Sequence, residues 1–156
     1  AMRSLTNAGV MDDTGGLLAF LDAQDKAKPG PVGCVGYCMS GQHITNAAAF
    51  YPHRIASAAS LYGVGIVTDK DDSPHLFMDR IKGELYYAFA ETDRSVPAHI
   101  PGEVKRLCEQ HRIKHEVKVF PGTEHGFAFP ERAIYNTLAA EETWAKMFAM
   151  WDRTLK

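Results

Sequence analysis

Val32-Gly33-Cys34-Val35-Gly36-Tyr37-Cys38-Met39-Ser40-Gly41 reads as a short apolar strand that runs directly into a helix. The junction is spaced Gly-x-Cys-x-Ser-Gly, the layout of a nucleophile elbow with cysteine at its apex. Such a turn forces the nucleophile into a strained backbone, and large side chains two positions away would collide with it. Gly36 and Ser40 are small enough, and Gly41 lets the helix approach the sheet closely. The turn presents the Cys38 sulfur at a helix N-terminus, where the dipole and free N–H groups favour a thiolate and can hold an oxyanion. The competing reading of Cys38 is a buried structural cysteine, and the small flanking residues argue against it. Cys34 lies inside the strand itself and is expected in the core.

Outward from this stretch the chain alternates. A helical pattern over residues 12–24 draws its apolar face from Leu17, Leu18, Phe20 and Leu21, and Lys28-Pro29-Gly30-Pro31 stops it. Residues 32–37 form the first strand and residues 39–50 a helix closed by Pro52. A second strand covers residues 55–62, and a polar loop spans residues 68–74. Gly83 precedes a third strand at residues 84–90. A helix over residues 101–111 places Val104, Leu107 and Cys108 on one face. A fourth strand takes residues 114–120. The last helix, residues 138–155, carries Ala140, Trp144, Met147, Phe148 and Trp151 at helical spacing, read as core packing. Strands separated by helices predict an α/β fold with a parallel sheet covered on both faces. The absence of a linker or repeat predicts one domain over residues 1–156.

Ligands of such sheets bind beyond the carboxyl ends of the strands. The polar candidates fall there: Cys38 after the first strand, Tyr62 at the end of the second, Asp93 after the third and His125 after the fourth. His125 is then the base for the thiol, and Asp93 fixes the imidazole tautomer. The N–H of Met39 is the expected oxyanion donor. Glu91 is the alternative acid, and Asp93 read blandly is a turn former. Tyr62 either lines the pocket or merely ends a strand. His43, His53, His75, His99, His111 and His115 are expected at the surface or at caps. Cys34, Cys38 and His43 are not read as a metal site, because a strand-to-helix turn points them apart and no fourth ligand is evident.

Gly36-Tyr37-Cys38-Met39-Ser40-Gly41, Tyr62-Gly63-Val64-Gly65, Asp93 with Val96-Pro97, and His125-Gly126-Phe127 together resemble the dienelactone hydrolase family. The resemblance runs from about Asp12 to Trp151. It implies an α/β-hydrolase-like three-layer sandwich, of which this chain would hold about four predominantly parallel strands from the C-terminal part. It also implies a Cys38, Asp93 and His125 triad, with Tyr37, Tyr62 and Phe127 around the substrate. The implied activity is hydrolysis of a small ester or lactone, of the dienelactone or carboxymethylenebutenolide type, through a thiol acyl-enzyme. No metal or organic cofactor is implied. Nothing here matches the family's N-terminal portion, which supplies early strands, the second half of the oxyanion hole and a glutamate near the cysteine. The family's substrate-carboxylate arginine has Phe127-Ala128-Phe129-Pro130 at its place, with Arg132 slightly beyond; Arg3 is the only upstream candidate for a second. A less charged ester is as well supported as dienelactone.

The 156 residues are 46% hydrophobic and 23% charged, with net charge -2, which gives no electrostatic case for nucleic acid or an anionic membrane. Three irregularly spaced cysteines point to a reducing compartment, hence the cytoplasm. The apolar elbow strand would stand at an open sheet edge, and exposed edges invite pairing. A homodimer, or cover from the N-terminal residues, is therefore expected. Two readings of other classes remain: a catalytically weak or inactive binding and oligomerisation module, and a cysteine-dependent amidase or peptidase.

Overall fold

The computed structural model describes residues 5–156. Arg3 lies outside them. Four strands form one sheet in the order β1-β2-β3-β4: β1 (Val32–Tyr37), β2 (Ile55–Leu61), β3 (Glu84–Thr92) and β4 (His115–Glu124). Every pairing is parallel. All four carboxyl ends therefore meet at one edge, as the alternation of strands and helices predicts.

Side-chain alternation along the strands builds two cores. Ala58, Leu85, Tyr87 and Phe89 point to one face, where α1 (Asn7–Asp22), α2 (Ser40–Phe50) and α3 (Ile100–Gln110) cover them. Ala59, Leu61, Tyr86 and Ala88 point to the other, covered by α4 (Thr137–Thr154). The result is three layers. Burial of Val104, Leu107 and Cys108 on α3 follows the apolar face read from the sequence.

Several boundaries differ. Helix α1 starts at Asn7 rather than residue 12, because the Thr6 hydroxyl caps it by accepting the Gly9 N–H at 3.1 Å. Its buried seam is Met11 and Leu18, while Leu17 and Phe20 are 58% and 59% exposed. The helix rests on α2 along a narrow contact, with the Tyr51 hydroxyl donating to the Met11 carbonyl at 2.6 Å. A 3₁₀ segment, Pro74–Arg80, follows the polar loop and buries Met78, which the sequence reading missed. Strand β4 continues through Pro121 to Glu124. Proline is tolerated there because β4 is an edge strand, and Gly122 takes φ +68° where the register shifts. On α4, Phe148 is 55% exposed and does not join the core stripe.

The two sheet edges contrast. β4 carries Glu116 and Lys118, paired with Lys146 and Glu142 of α4. β1 carries no charge, and among the described residues no strand pairs with its outer side. The N-terminal residues in view form α1 rather than a covering strand.

Candidate active site

Cys38 follows β1 with φ +53°, in the left-handed region that non-glycine residues rarely adopt. Three backbone hydrogen bonds hold it there. Its N–H donates to the Leu61 carbonyl at 3.1 Å, and its carbonyl accepts the N–H of Gly41 at 3.0 Å and of Val64 at 2.9 Å. Small residues make the turn possible. A Cβ on Gly36 would stand 2.5 Å from the Ser40 carbonyl oxygen. A Cβ on Gly41 would meet the Gly63 backbone and lie 2.7 Å from Ser60 Oγ. Met39 occupies the N-cap position of α2, whose first N–H groups lack intrahelical acceptors.

Asp93 follows β3 and His125 follows β4. The Asp93 side chain is 3% exposed, and His125 is 21% exposed. Asp93 Oδ2 lies 2.6 Å from His125 Nδ1, while Oδ1 accepts the Ser95 N–H at 2.8 Å. Both carboxylate oxygens are thus engaged. With Nδ1 carrying the proton, Nε2 is left as the imidazole's acceptor. Glu91, the alternative acid, instead accepts the Gly122 N–H at 2.9 Å. Cys38 is exposed, and among the described residues its sulfur makes no hydrogen bond, to His125 or to any other group.

An aromatic shelf supports the imidazole. Tyr62, 1% exposed and at φ +40°, stands edge-on to His125 with ring centroids 5.2 Å apart. Tyr37 lies 5.9 Å from Tyr62, and Phe127 lies 5.4 Å from it. Phe127 is fully buried and reaches the site through Tyr62. Phe129, not singled out from the sequence, packs 5.4 Å from Tyr37. Burial pushes the Tyr62 hydroxyl well above its ordinary pKa, reinforced by Tyr37 and Cys38 and opposed by Arg132, so it stays protonated. That hydroxyl is buried without a partner.

Beside His125 opens a recess of about 510 Å³ lined by Arg94, Ser95, Glu124, Arg132 and Ile134. Arg132 packs where a Gly126 side chain would stand, and Gly126 itself has φ +93°. The sequence reading named Arg132 only as lying beyond the expected arginine and did not single out Arg94. The loop positions alone do not reveal that both arginines line one recess with His125.

Cys34 is half-buried, and burial pushes its thiol up to about 12. Cys108 is buried, and burial pushes it likewise to about 12, with Glu109 adding to the effect. His43 departs from the surface expectation: both ring nitrogens are buried without partners, and burial lowers its pKa. Among the described residues no three His, Cys, Asp or Glu side chains gather as a metal site. Nor is any helix there long and apolar enough to cross a membrane.

The family model of the dienelactone hydrolase family matches residues 1–155. A Synechocystis protein named for carboxymethylenebutenolidase activity is 29% identical over 154 residues, which are 97% of this chain and 62% of that protein. A human carboxymethylenebutenolidase homolog is 27% identical over 74% of this chain and 44% of its own length. A Klebsiella pneumoniae structure named as a dienelactone hydrolase superposes with a TM-score of 0.87 at 19% identity, covering 97% of this chain and 63% of that one. The chain thus spans less than two thirds of these relatives.

The unequal burial of the thiols has a direct consequence. Limiting iodoacetamide at neutral pH should alkylate Cys38 at least ten times faster than Cys34 or Cys108, as peptide mapping would read. Equal labelling before denaturation would contradict the arrangement.

Proposed function

The chain belongs to the dienelactone hydrolase family, and on that premise we propose that it is a hydrolase of small esters or lactones acting through Cys38, His125 and Asp93. The observation that carries this reading is the His125–Asp93 pair at 2.6 Å, set on the same sheet edge as a cysteine in a left-handed turn. Nothing in packing requires three such groups at the ends of three strands.

In the proposed reaction, His125 Nε2 takes the Cys38 proton as the sulfur attacks the ester carbonyl. The C–S bond forms and the carbonyl electron pair moves onto oxygen. The Met39 N–H stabilises that oxyanion. Collapse restores the carbonyl, breaks the C–O bond, and His125 protonates the departing alkoxide. Water then attacks the thioester with His125 as base, releasing the acid and the thiol. Asp93 holds the Nδ1–H throughout and stabilises imidazolium. The unpaired Cys38 sulfur is compatible with this course, because catalytic hydrogen bonds tighten when substrate arrives. Three free cysteines suit a reducing compartment, and we place the protein in the cytoplasm.

We also propose that a second copy covers β1. Both flanks of that edge are apolar. On one side, Leu17, Leu18, Leu21 and Val32 line a groove of about 370 Å³. On the other, exposed Phe148 stands edge-on to Trp151, whose buried indole N–H has no partner. Antiparallel pairing of two β1 strands would join the sheets and bring these flanks together.

p-Nitrophenyl acetate tests the first proposal. Cys38→Ala should reduce turnover to background, and Asp93→Asn should lower kcat by about 10³–10⁴. Turnover indifferent to Cys38 would reject the hydrolase reading in favour of a binding module, and faster cleavage of p-nitroanilides than of esters would favour the amidase. Light scattering behind size exclusion tests the second. The chain should run as a dimer, and Leu17→Lys with Phe148→Lys should make it monomeric. A monomer at every concentration would refute the pairing.

A further inference from the structure

A recess of about 320 Å³ opens between the loop after β2 and the loop after β3. Val64, Val67, Val96, Pro97 and Ile100 supply its apolar lining. Ile66, also in the lining, is 1% exposed, and Val96 and Ile100 are each 7% exposed. Each wall is tied to a residue of the site. Val64 N–H donates to the Cys38 carbonyl at 2.9 Å, and Ser95 N–H donates to Asp93 Oδ1 at 2.8 Å. The recess therefore lies between the loop that braces the nucleophile and the loop that carries the acid.

Its chemistry contrasts with that of the recess beside His125. That one holds Arg94, Glu124 and Arg132. Among the described residues this one holds no charged side chain, and Thr68 and Ser95 are its only polar side chains. Ser95 borders both. A charged group entering the apolar recess would lose hydration and find no counter-charge. A hydrocarbon arm would gain by leaving water. The volume lies at the lower end of the range for small-molecule sites, roughly 300–1,000 Å³. At about 30 Å³ for each water-sized group, it accommodates an arm of roughly six to eight carbons once packing is allowed for.

We infer that this recess is the subsite for an uncharged aliphatic arm of the substrate, so that the preferred esters carry a medium-length apolar chain. The inference rests on the hydrolase reading above and narrows its substrate class. The arm belongs either to the acyl or to the alkoxy side of the ester, and the chemistry that recognises it is the same.

Two ester series on the whole chain separate those sources. p-Nitrophenyl esters from acetate to octanoate lengthen the acyl arm, and alkyl acetates from methyl to hexyl lengthen the alkoxy arm. In one series kcat/KM should rise about three- to four-fold per methylene and level off near six carbons. Val67→Phe fills the recess and should bring the long-to-short ratio in that series close to one. Val67→Ala enlarges the recess and should carry the rise on to a longer arm before it levels off, a gain of function that misfolding does not mimic. Flat profiles in both series, with Cys38-dependent turnover of the acetates intact, overturn the subsite and leave the hydrolase reading standing. Binding of 2-octanone to Cys38→Ala protein reads the recess without turnover. The ketone should shift the methyl resonances of Val64, Val67 and Val96, and Val67→Phe should abolish the shift. Binding without turnover of any ester sinks the hydrolase reading alone, whereas methyl resonances that do not move sink the subsite.

Discussion

A cysteine held at φ +53° costs on the order of 1–3 kcal/mol of backbone strain, and the fold is arranged around that cost. Three hydrogen bonds fix the Cys38 peptide groups, two of them from segments beyond the turn itself. The next strand ends the same way. Tyr62 has φ +40°, and its N–H is taken by the Ala88 carbonyl at 2.6 Å. Two left-handed residues thus stand side by side and are braced through Val64. The close approach of Gly41 to Gly63 locks α2 onto this pair, since a methyl group on either glycine would collide with the other's backbone. Strain here is sustained by the parallel sheet beneath, which leaves the turn no freedom to relax.

The same edge fixes the second half of the site. β3 and β4 end within reach of each other, so Asp93 and His125 pair across 32 residues of sequence. Ser95 satisfies the other carboxylate oxygen, which limits how the carboxylate can turn. Tyr62 stands edge-on to the imidazole and is itself held by Phe127 and Tyr37. Around this frame the surface divides into a charged recess and an apolar one that meet at Ser95. The loop after β3 serves both, since it holds Asp93 and also lines the apolar recess through Ser95, Val96 and Pro97.

Much of this was legible in the sequence because a parallel sheet delivers its chemistry at predictable places. The bounds of β1 match residue for residue, since glycine-spaced apolar strands between Pro31 and a helix admit little else. Cys38, Asp93 and His125 each fall just after a strand, as the alternation required. The misses have local causes. Proline at 121 reads as a strand end, yet an edge strand accommodates it. Leu17, Phe20 and Phe148 read as core by spacing alone, but periodicity does not say how wide a contact the helix meets. Arg132 stood out only by its place beyond the histidine and Arg94 not at all, because convergence of two loops is a property of three dimensions.

In the proposed reaction Cys38 is the group that becomes acylated. Mixing the protein with p-nitrophenyl butyrate, quenching in acid within the first turnovers, and reading intact mass followed by peptide mapping tests it most directly. The expected result is a single butyryl adduct on the peptide bearing Cys38, persisting longer when His125 is replaced by glutamine in protein pre-acylated with a more reactive acyl donor. An unmodified protein during active turnover, or an adduct confined to Cys34 or Cys108, would contradict it.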